Sequence, residues 1–227
     1  YGLTMSVLLA VRCAAEIILL ATPRTDAVTE ALATRRPTWM PGVPTIYERA
    51  MNYASTAADS ESPSDLGGVR YSISGAASLP SRIIDPWEAR TGGMLVEGYG
   101  LTETSPVLTI NPLDDTRRAG TIGLPLPGID LAIKDDDGNT LPQGEHGEIC
   151  IRGPNVMQGY YRQPEETTKA FTADGFMRTG DIGLMDAQGF FKIIDRKKDM
   201  ILVSGFNVFP NELENVISLC PGVVECA

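Results

Sequence analysis

Histidine is almost absent from this sequence of 227 residues, which contains only His146. This residue lies in the segment QGEHG at 143–147, which predicts a surface turn. Histidine is the side chain that changes charge near neutral pH, and it is the commonest metal ligand. Its scarcity largely excludes histidine-based acid–base and metal chemistry within these residues.

Cysteine is scarce as well. The four cysteines, Cys13, Cys150, Cys220 and Cys226, form no Cys-x-x-Cys pair, which excludes the common zinc and redox motifs. Because several lie in apolar runs, we predict reduced core cysteines in a cytosolic protein.

The chain also lacks a long apolar run. Residues 1–11 are uncharged and largely apolar, but Arg12 and Glu16 interrupt the pattern. Eleven residues are too few to span a bilayer, and no basic segment or cleavage site marks a signal peptide. We expect a stretch that begins inside a domain and a cytoplasmic location, with peripheral membrane contact left open.

Positive charge is in deficit. There are 19 Lys and Arg against 29 Asp and Glu, which gives a net charge of −10. The one basic cluster is Arg196-Lys197-Lys198. This balance argues against a nucleic-acid partner. The hydrophobic fraction of 43% is sufficient for a globular core.

Strand and helix patterns alternate over the first half of the chain. This alternation predicts a doubly wound, mostly parallel α/β sheet, in which ligands lie beyond the carboxyl ends of the strands. The predicted helices are 3–15, 27–35, the segment from Pro44, and 80–91; the predicted strands are 17–20, 38–40, 69–74 and 94–97.

After Pro106 helical periodicity gives way to hairpin patterns around 130–152 and 183–194. A strand at 200–203 and a helix from Pro210 then follow. We predict an α/β subdomain at 1–117, a small β-barrel-like subdomain at 118–197, and the start of a small α+β C-terminal domain at 198–227.

The segment EGYGLTETSP at 97–106 carries the clearest chemical signal. Its glycines, Gly98 and Gly100, permit close backbone approach to a flat or phosphorylated ligand. Tyr99 offers a ring face for adenine, Thr102 offers a hydroxyl to a phosphate, and Glu103 offers a carboxylate to Mg²⁺. A glycine-rich turn with a capping Thr-Glu pair explains the same spacing.

Three other polar clusters occur at wide spacing: SGAA at 74–77, RTGD at 178–181 and DRKKD at 195–199. Taken alone, Asp181 is a turn former and the basic residues are a solvated charge run. The carboxylate of Asp181 could also accept hydrogen bonds from the two hydroxyls of a ribose.

In this order, the four clusters resemble those of the adenylate-forming superfamily of acyl-CoA synthetases, luciferases and peptide-synthetase adenylation domains. The resemblance is greatest to bacterial long-chain fatty-acid–CoA ligases. It implies activation of a fatty acid with ATP and Mg²⁺ to an acyl-adenylate, and then transfer to coenzyme A. The alternatives are an adenylation enzyme for an aryl or amino acid and a non-catalytic AMP-binding remnant. The sequence defines no oligomeric state.

The same resemblance implies a role for each matching residue. Thr102 contacts the α-phosphate, Glu103 binds magnesium, Arg196 contacts ribose and phosphate, and Lys198 is the hinge; these four form the implied catalytic set. The implied nucleotide and coenzyme A contacts are Gly75, Ala76, Ala77, Gly98, Tyr99, Gly100, Asp181, Ile193, Gly205 and Phe206.

The sequence differs from the family pattern because several of the family's motifs are missing from it. A phosphate-binding loop with a lysine, a histidine-containing segment and the late catalytic lysine are not found in it. We therefore expect the 227-residue chain alone to be inactive and poorly stable, and fatty-acid-dependent ATP–pyrophosphate exchange by it would overturn this. The expected acyl pocket involves 43–46, 75–77 and 107–108, whose small or apolar residues suit an alkyl chain.

Overall fold

Three parallel strands, β1 (Trp39–Gly42), β2 (Tyr71–Ser74) and β3 (Met94–Gly100), begin the first sheet. Helix α3 (Pro44–Thr56) connects the first pair, and α4 (Ser81–Thr91) connects the second. The structure, a computed structural model, describes residues 1–56, 66–203, 206–217, 220 and 222–223. Of residues 56, 202, 203, 206, 207, 211, 212 and 215 it describes the backbone alone.

Two antiparallel strands complete this sheet. The strands β4 (Val107–Ile110) and β5 (Leu124–Pro125) follow β3, so that the strand order is the chain order, β1 to β5. Together with the helices before β1 they form the first of two units, Tyr1–Leu126. Those helices are a π-helical segment (Leu3–Leu8), α1 (Leu9–Arg12) and α2 (Thr25–Arg35).

The core of this unit lies between the sheet and the helices α3 and α4. Tyr47 and Trp87 are fully buried, and their rings meet edge to face with centroids 4.9 Å apart. The indole N–H of Trp87 donates to the Ser72 hydroxyl at 3.0 Å, so the large ring is buried with its polar group satisfied. The predicted inward face of α4, which includes Ile83 and Ile84, is confirmed.

The predicted strand at 17–20 is wrong. This segment has no regular secondary structure, and Leu19 is 84% exposed. A strand needs a neighbour that pairs with its backbone, and within the described ranges β1 pairs only with β2. The apolar run lines one side of a wide groove of about 820 Å³ with α2 and β1.

Of the three cysteines that the structure describes, one fits the expected core position. Cys150 is buried in a strand, and burial raises the pKa of its thiol to about 12. Cys13, which follows the end of α1, and Cys220 are exposed, so the core prediction is wrong for both. Cys226 lies outside the described residues.

A four-stranded antiparallel sheet is the largest sheet of the second unit, Pro127–Ala227, and confirms the predicted hairpins. Its buried side chains include Ile149, Ile151 and Phe191. The structure divides into two compact units after Leu126. This division does not test the predicted domain limits, which stay a prediction. The strands in order are β6 (Asp130–Lys134), β7 (Gly147–Arg152), β8 (Met177–Met185) and β9 (Phe191–Arg196), with α5 (Pro164–Lys169) between β7 and β8.

The last described elements are a short hairpin of β10 (Ile201–Val203) and β11 (Phe206–Val208), then α6 (Pro210–Ile217). The helix begins at Pro210, as its sequence predicts. Among the described helices, none combines the length and apolarity that crossing a bilayer requires.

Candidate functional site

The loop at 75–77 and residues 98–100, the glycine-containing end of β3, lie at the same edge of the first unit's sheet. Ser74, the last residue of β2, is in register with Glu97 on the parallel strand β3. The loop at 75–77 therefore leaves the sheet beside the segment 98–100. The carboxyl ends of neighbouring parallel strands form the usual crevice for ligands in α/β sheets.

The loop at 75–77 is tightly packed at its base and open at its tip. A Cβ atom on Gly75 would lie 2.9 Å from the ring of Tyr1, so a larger residue would require that ring to shift. The Tyr1 hydroxyl donates to the Ile73 carbonyl at 2.6 Å, and burial raises its pKa to about 12. Ala76 and Ala77 are exposed, and Ala76 has a φ of +67°, which is uncommon for a residue with a side chain.

The chain turns back sharply after β3. Residues Thr102–Thr104 form one 3₁₀ turn, in which Thr102 is exposed and Glu103 is half-buried, as is Tyr99 before it. The buried Thr104 closes this turn: its hydroxyl accepts from the Leu101 N–H at 3.0 Å and lies 2.9 Å from the Pro106 carbonyl. Sequence analysis did not single out Thr104, although its place in the same motif marks it.

Glu97 is a further residue that the sequence analysis left without a role. Only 8% of it is exposed, and one carboxylate oxygen accepts the Leu79 N–H at 3.1 Å. Burial raises the pKa of Glu97 to about 7, although the Leu79 hydrogen bond acts in the opposite direction. Glu97 also lines a cavity of about 240 Å³ between the sheet, α4 and the loop at 117–121.

Within the second unit, the structure brings Asp181 and Arg196 together. They are register partners on β8 and β9, and Arg196 Nε lies 2.9 Å from Asp181 Oδ1. The Asp181 side chain is 4% exposed, whereas that of Arg196 is 54% exposed. A buried carboxylate beside an exposed guanidinium can accept hydroxyl hydrogen bonds while its neighbour contacts an anion. Ile193, also on β9, is half-buried.

A second carboxylate, Glu148, is buried next to this pair. Its side chain is 5% exposed and lies 3.0 Å from Arg178 Nη1 and 3.2 Å from Lys197 Nζ. Lys197 also contacts Asp136 at 2.6 Å. Partial burial lowers the pKa of Lys197, but the hydrogen bonds to Asp136 and Glu148 outweigh it, and the pKa is raised.

The remaining sequence-predicted residues lie toward the end of the chain. Lys198 is exposed directly after Lys197. Gly205 lies outside the described residues, and Phe206 is described only as backbone at the start of β11. In the expected acyl pocket, Val107 is half-buried, but Leu108 is fully buried in the sheet.

Each unit presents a different chemistry. The first offers an exposed hydroxyl, a carboxylate and small residues at one sheet edge, which suits a flat ring followed by phosphate. The second offers the Asp181–Arg196 pair, which suits vicinal hydroxyls and a phosphate. Within the parts of the chain that the structure describes, no three His, Cys, Asp or Glu side chains are grouped as a metal site.

Comparisons with known proteins identify the family of this chain. The AMP-binding enzyme family matches residues 1–161. A long-chain-fatty-acid–CoA ligase of Yersinia pestis is 41% identical over the whole chain, which covers 40% of that relative. The chain therefore spans about two fifths of the length of such curated relatives.

Two solved structures share the fold. ATP-bound MatB from Rhodopseudomonas palustris superposes with a TM-score of 0.87 at 38% identity, over 99% of this chain and 43% of that one. The anthranilate CoA ligase AuaEII, in complex with anthranoyl-AMP, also has a TM-score of 0.87, at 27% identity, over 100% of this chain and 43% of that one. This chain belongs to the AMP-binding enzyme family of adenylate-forming enzymes.

Proposed function

We propose that this chain, together with the segments by which its relatives exceed it in length, activates a long-chain fatty acid with ATP. The product is an acyl-adenylate, from which coenzyme A then takes the acyl group. The observation that supports this most directly is the register of β2 with β3, which sets the loop at 75–77 beside Gly98, Tyr99 and Gly100. Identity of about 40% to fatty-acid–CoA ligases supports the choice of acid.

The first half-reaction forms one bond and breaks one. A carboxylate oxygen of the fatty acid attacks the α-phosphorus of ATP, and pyrophosphate leaves with the electrons of the broken P–O bond. In the proposed site, Tyr99 stacks on adenine and Thr102 donates to an α-phosphate oxygen. On the second unit, Arg196 is proposed to contact a phosphate, because a guanidinium pairs well with phosphate oxygens.

Glu103 fits a role in holding Mg²⁺ by the chemistry of its donor. Mg²⁺ is commonly bound by one or two carboxylates together with phosphate and water oxygens, and Glu103 is one carboxylate on the turn that carries Thr102. When bound, Mg²⁺ would neutralise phosphate charge. Glu103 would orient the nucleotide through it.

In the second half-reaction the sulfur of coenzyme A attacks the acyl carbon, and AMP leaves. We assign Lys198 as the hinge that allows one site to serve both half-reactions, because it is exposed and lies in the short connection between β9 and the hairpin of β10 and β11. Gly205 and Phe206 are proposed to approach the pantetheine arm. The proposed setting is cytoplasmic fatty acid metabolism, with peripheral membrane contact left open.

A second candidate substrate is an aryl acid, which is favoured by the similarity to the anthranilate CoA ligase. A substrate panel tests both. We expect a complete enzyme that carries this sequence to turn over palmitate at least about tenfold more efficiently than anthranilate, measured as ATP–pyrophosphate exchange and CoA-ester formation. A preference for anthranilate would select the aryl alternative, and AMP binding without any turnover would select the non-catalytic one. The 227-residue chain alone is expected to show no exchange.

Replacing Asp181 by asparagine tests the ribose contact in the same enzyme. We expect Asp181→Asn to raise the KM for ATP about tenfold and to reduce the preference for ATP over 2′-deoxy-ATP, because a lost charged acceptor weakens a hydroxyl bond. The matched control is Asp130→Asn, an exposed carboxylate on the same sheet that pairs with Arg152. An unchanged preference in Asp181→Asn would remove the ribose assignment.

A further inference from the structure

The strand that carries Asp181 contains a bulge at that position. Glu148 on β7 pairs with Ile182 on β8, and Cys150 pairs with Arg178. One residue of β7, Ile149, thus lies between these two pairs, whereas three residues of β8, 179–181, lie between them. Bulges interrupt the ladder and redirect side chains, and they are frequent beside active sites.

The bulge needs its own hydrogen bonds, because its backbone leaves the regular ladder. Gly180 has a φ of +75°, and its N–H donates to Glu148 Oε1 at 3.0 Å. The Thr179 hydroxyl donates to the Ile149 carbonyl at 2.7 Å and accepts the Asp181 N–H at 3.0 Å. The buried carboxylate of Glu148 therefore holds the residue directly before Asp181.

Glu148 also holds the residue directly after Arg196. Its second oxygen, Oε2, lies 3.2 Å from Lys197 Nζ and 3.0 Å from Arg178 Nη1. The Lys197 N–H in turn donates to the Gly180 carbonyl at 2.8 Å. One oxygen of this carboxylate is thus attached to the β8 bulge, and the other is attached to the end of β9.

We propose that Glu148 is a positioning residue that sets the separation and orientation of the Asp181–Arg196 pair for a nucleotide ribose and its phosphate. This inference rests on the proposed function, which assigns the pair to the nucleotide. Glu148 itself is too deeply buried to contact a ligand, so it acts through the backbone of Gly180 and through Lys197. An ordinary buried ion pair would stabilise the sheet without affecting which nucleotide is preferred.

The test compares variants of a complete enzyme that carries this sequence, with ATP and 2′-deoxy-ATP as alternative substrates. Glu148→Gln keeps an oxygen for the Gly180 N–H but removes the charge that holds Lys197 and Arg178. We expect it to reduce the preference for ATP by roughly tenfold or more, approaching Asp181→Asn, because small displacements of positioning groups have large effects. The KM for ATP should rise by a larger factor than kcat falls.

The matched control is Asp136→Asn. Asp136 contacts the same Lys197 Nζ, but its side chain is 87% exposed, whereas that of Glu148 is 5% exposed. We expect its nucleotide preference to stay within about twofold of the parent, as for most surface substitutions. Loss of preference in Asp136→Asn to the same degree as in Glu148→Gln would overturn the inference, since any change of charge near Lys197 would then suffice.

The outcomes separate this inference from the proposed function. If Asp181→Asn loses the preference and a folded Glu148→Gln retains it, the positioning role is refuted and the function stands. If Asp181→Asn retains the preference, the assignment of Asp181 to the ribose is refuted, and the positioning role proposed for Glu148 is refuted with it. If Glu148→Gln does not fold, Lys197→Gln replaces it, because the backbone bond from residue 197 to Gly180 persists; an unchanged preference in that variant would refute the positioning role.

Discussion

Replacing Gly100 by alanine is expected to lower the free energy of unfolding by about 4 kcal/mol, at the upper end of what one substitution causes. A Cβ atom at this position would lie 1.6 Å from the Pro106 carbonyl oxygen and 2.9 Å from the Val107 Cα. Both are backbone atoms, so no side-chain rotation relieves the overlap. The turn that carries Thr102 and Glu103 would have to open.

Gly98 provides the matched control two residues earlier on the same strand. There a Cβ atom would meet its nearest neighbour, the Thr109 carbonyl oxygen, at 3.4 Å, which is an ordinary contact. We expect Gly98→Ala to change the free energy of unfolding by less than about 1 kcal/mol. Urea denaturation of the two variants and of the parent, each in a complete enzyme that carries this sequence, measures the difference. Equal stabilities for the two variants would show that the turn after β3 is not closed as described.

The second prediction with a large expected effect is that the free energy of unfolding depends on pH through Glu97. Because burial raises its pKa to about 7, the folded protein holds this proton more tightly than the unfolded chain, whose glutamates titrate near 4.5. The stability that this proton contributes is complete below pH 4.5 and is lost as the pH rises to about 7. A shift of this size corresponds to about 3 kcal/mol.

Glu97→Gln removes the titration and keeps an oxygen for the Leu79 N–H. We expect its stability relative to the parent to be about 3 kcal/mol more favourable at pH 8 than at pH 4.5, measured by urea denaturation at both values. Asp85→Asn is the control, since Asp85 lines the same cavity but is exposed. It should change stability by less than about 0.5 kcal/mol at either pH. A Glu97→Gln difference that does not depend on pH would show that Glu97 titrates normally.

Local patterns predicted much of the fold because they reflect local physics. Helix α4 follows from the spacing of Ile83, Ile84 and Trp87, and the hairpin of β6 and β7 follows from alternation around a turn. The run at 17–20 shows the limit of such reasoning. Its composition suits a buried strand, but a strand exists only where another backbone pairs with it.

The assignment of the candidate site residues stays a prediction, and the way they were found has a similar limit. Residues with distinctive chemistry, such as Tyr99, Thr102 and Asp181, stand out in the sequence because few structural roles require them in those motifs. Glu97, Glu148 and Thr104 did not stand out. A glutamate in a strand gives no local sign that it is buried, or which distant N–H or cation it contacts.

The amino-acid sequence by itself determined the class of sheet, the loop at 75–77 after a strand and the family, since each of these depends on neighbouring residues or on motifs in order. Only the tertiary structure decided that Glu97 is buried against Leu79 and that Glu148 joins the β8 bulge to Lys197. It also decided that a Cβ on Gly100 would collide with Pro106. The physical reason is that burial, and with it pKa and steric tolerance, depends on atoms brought together from separate parts of the chain.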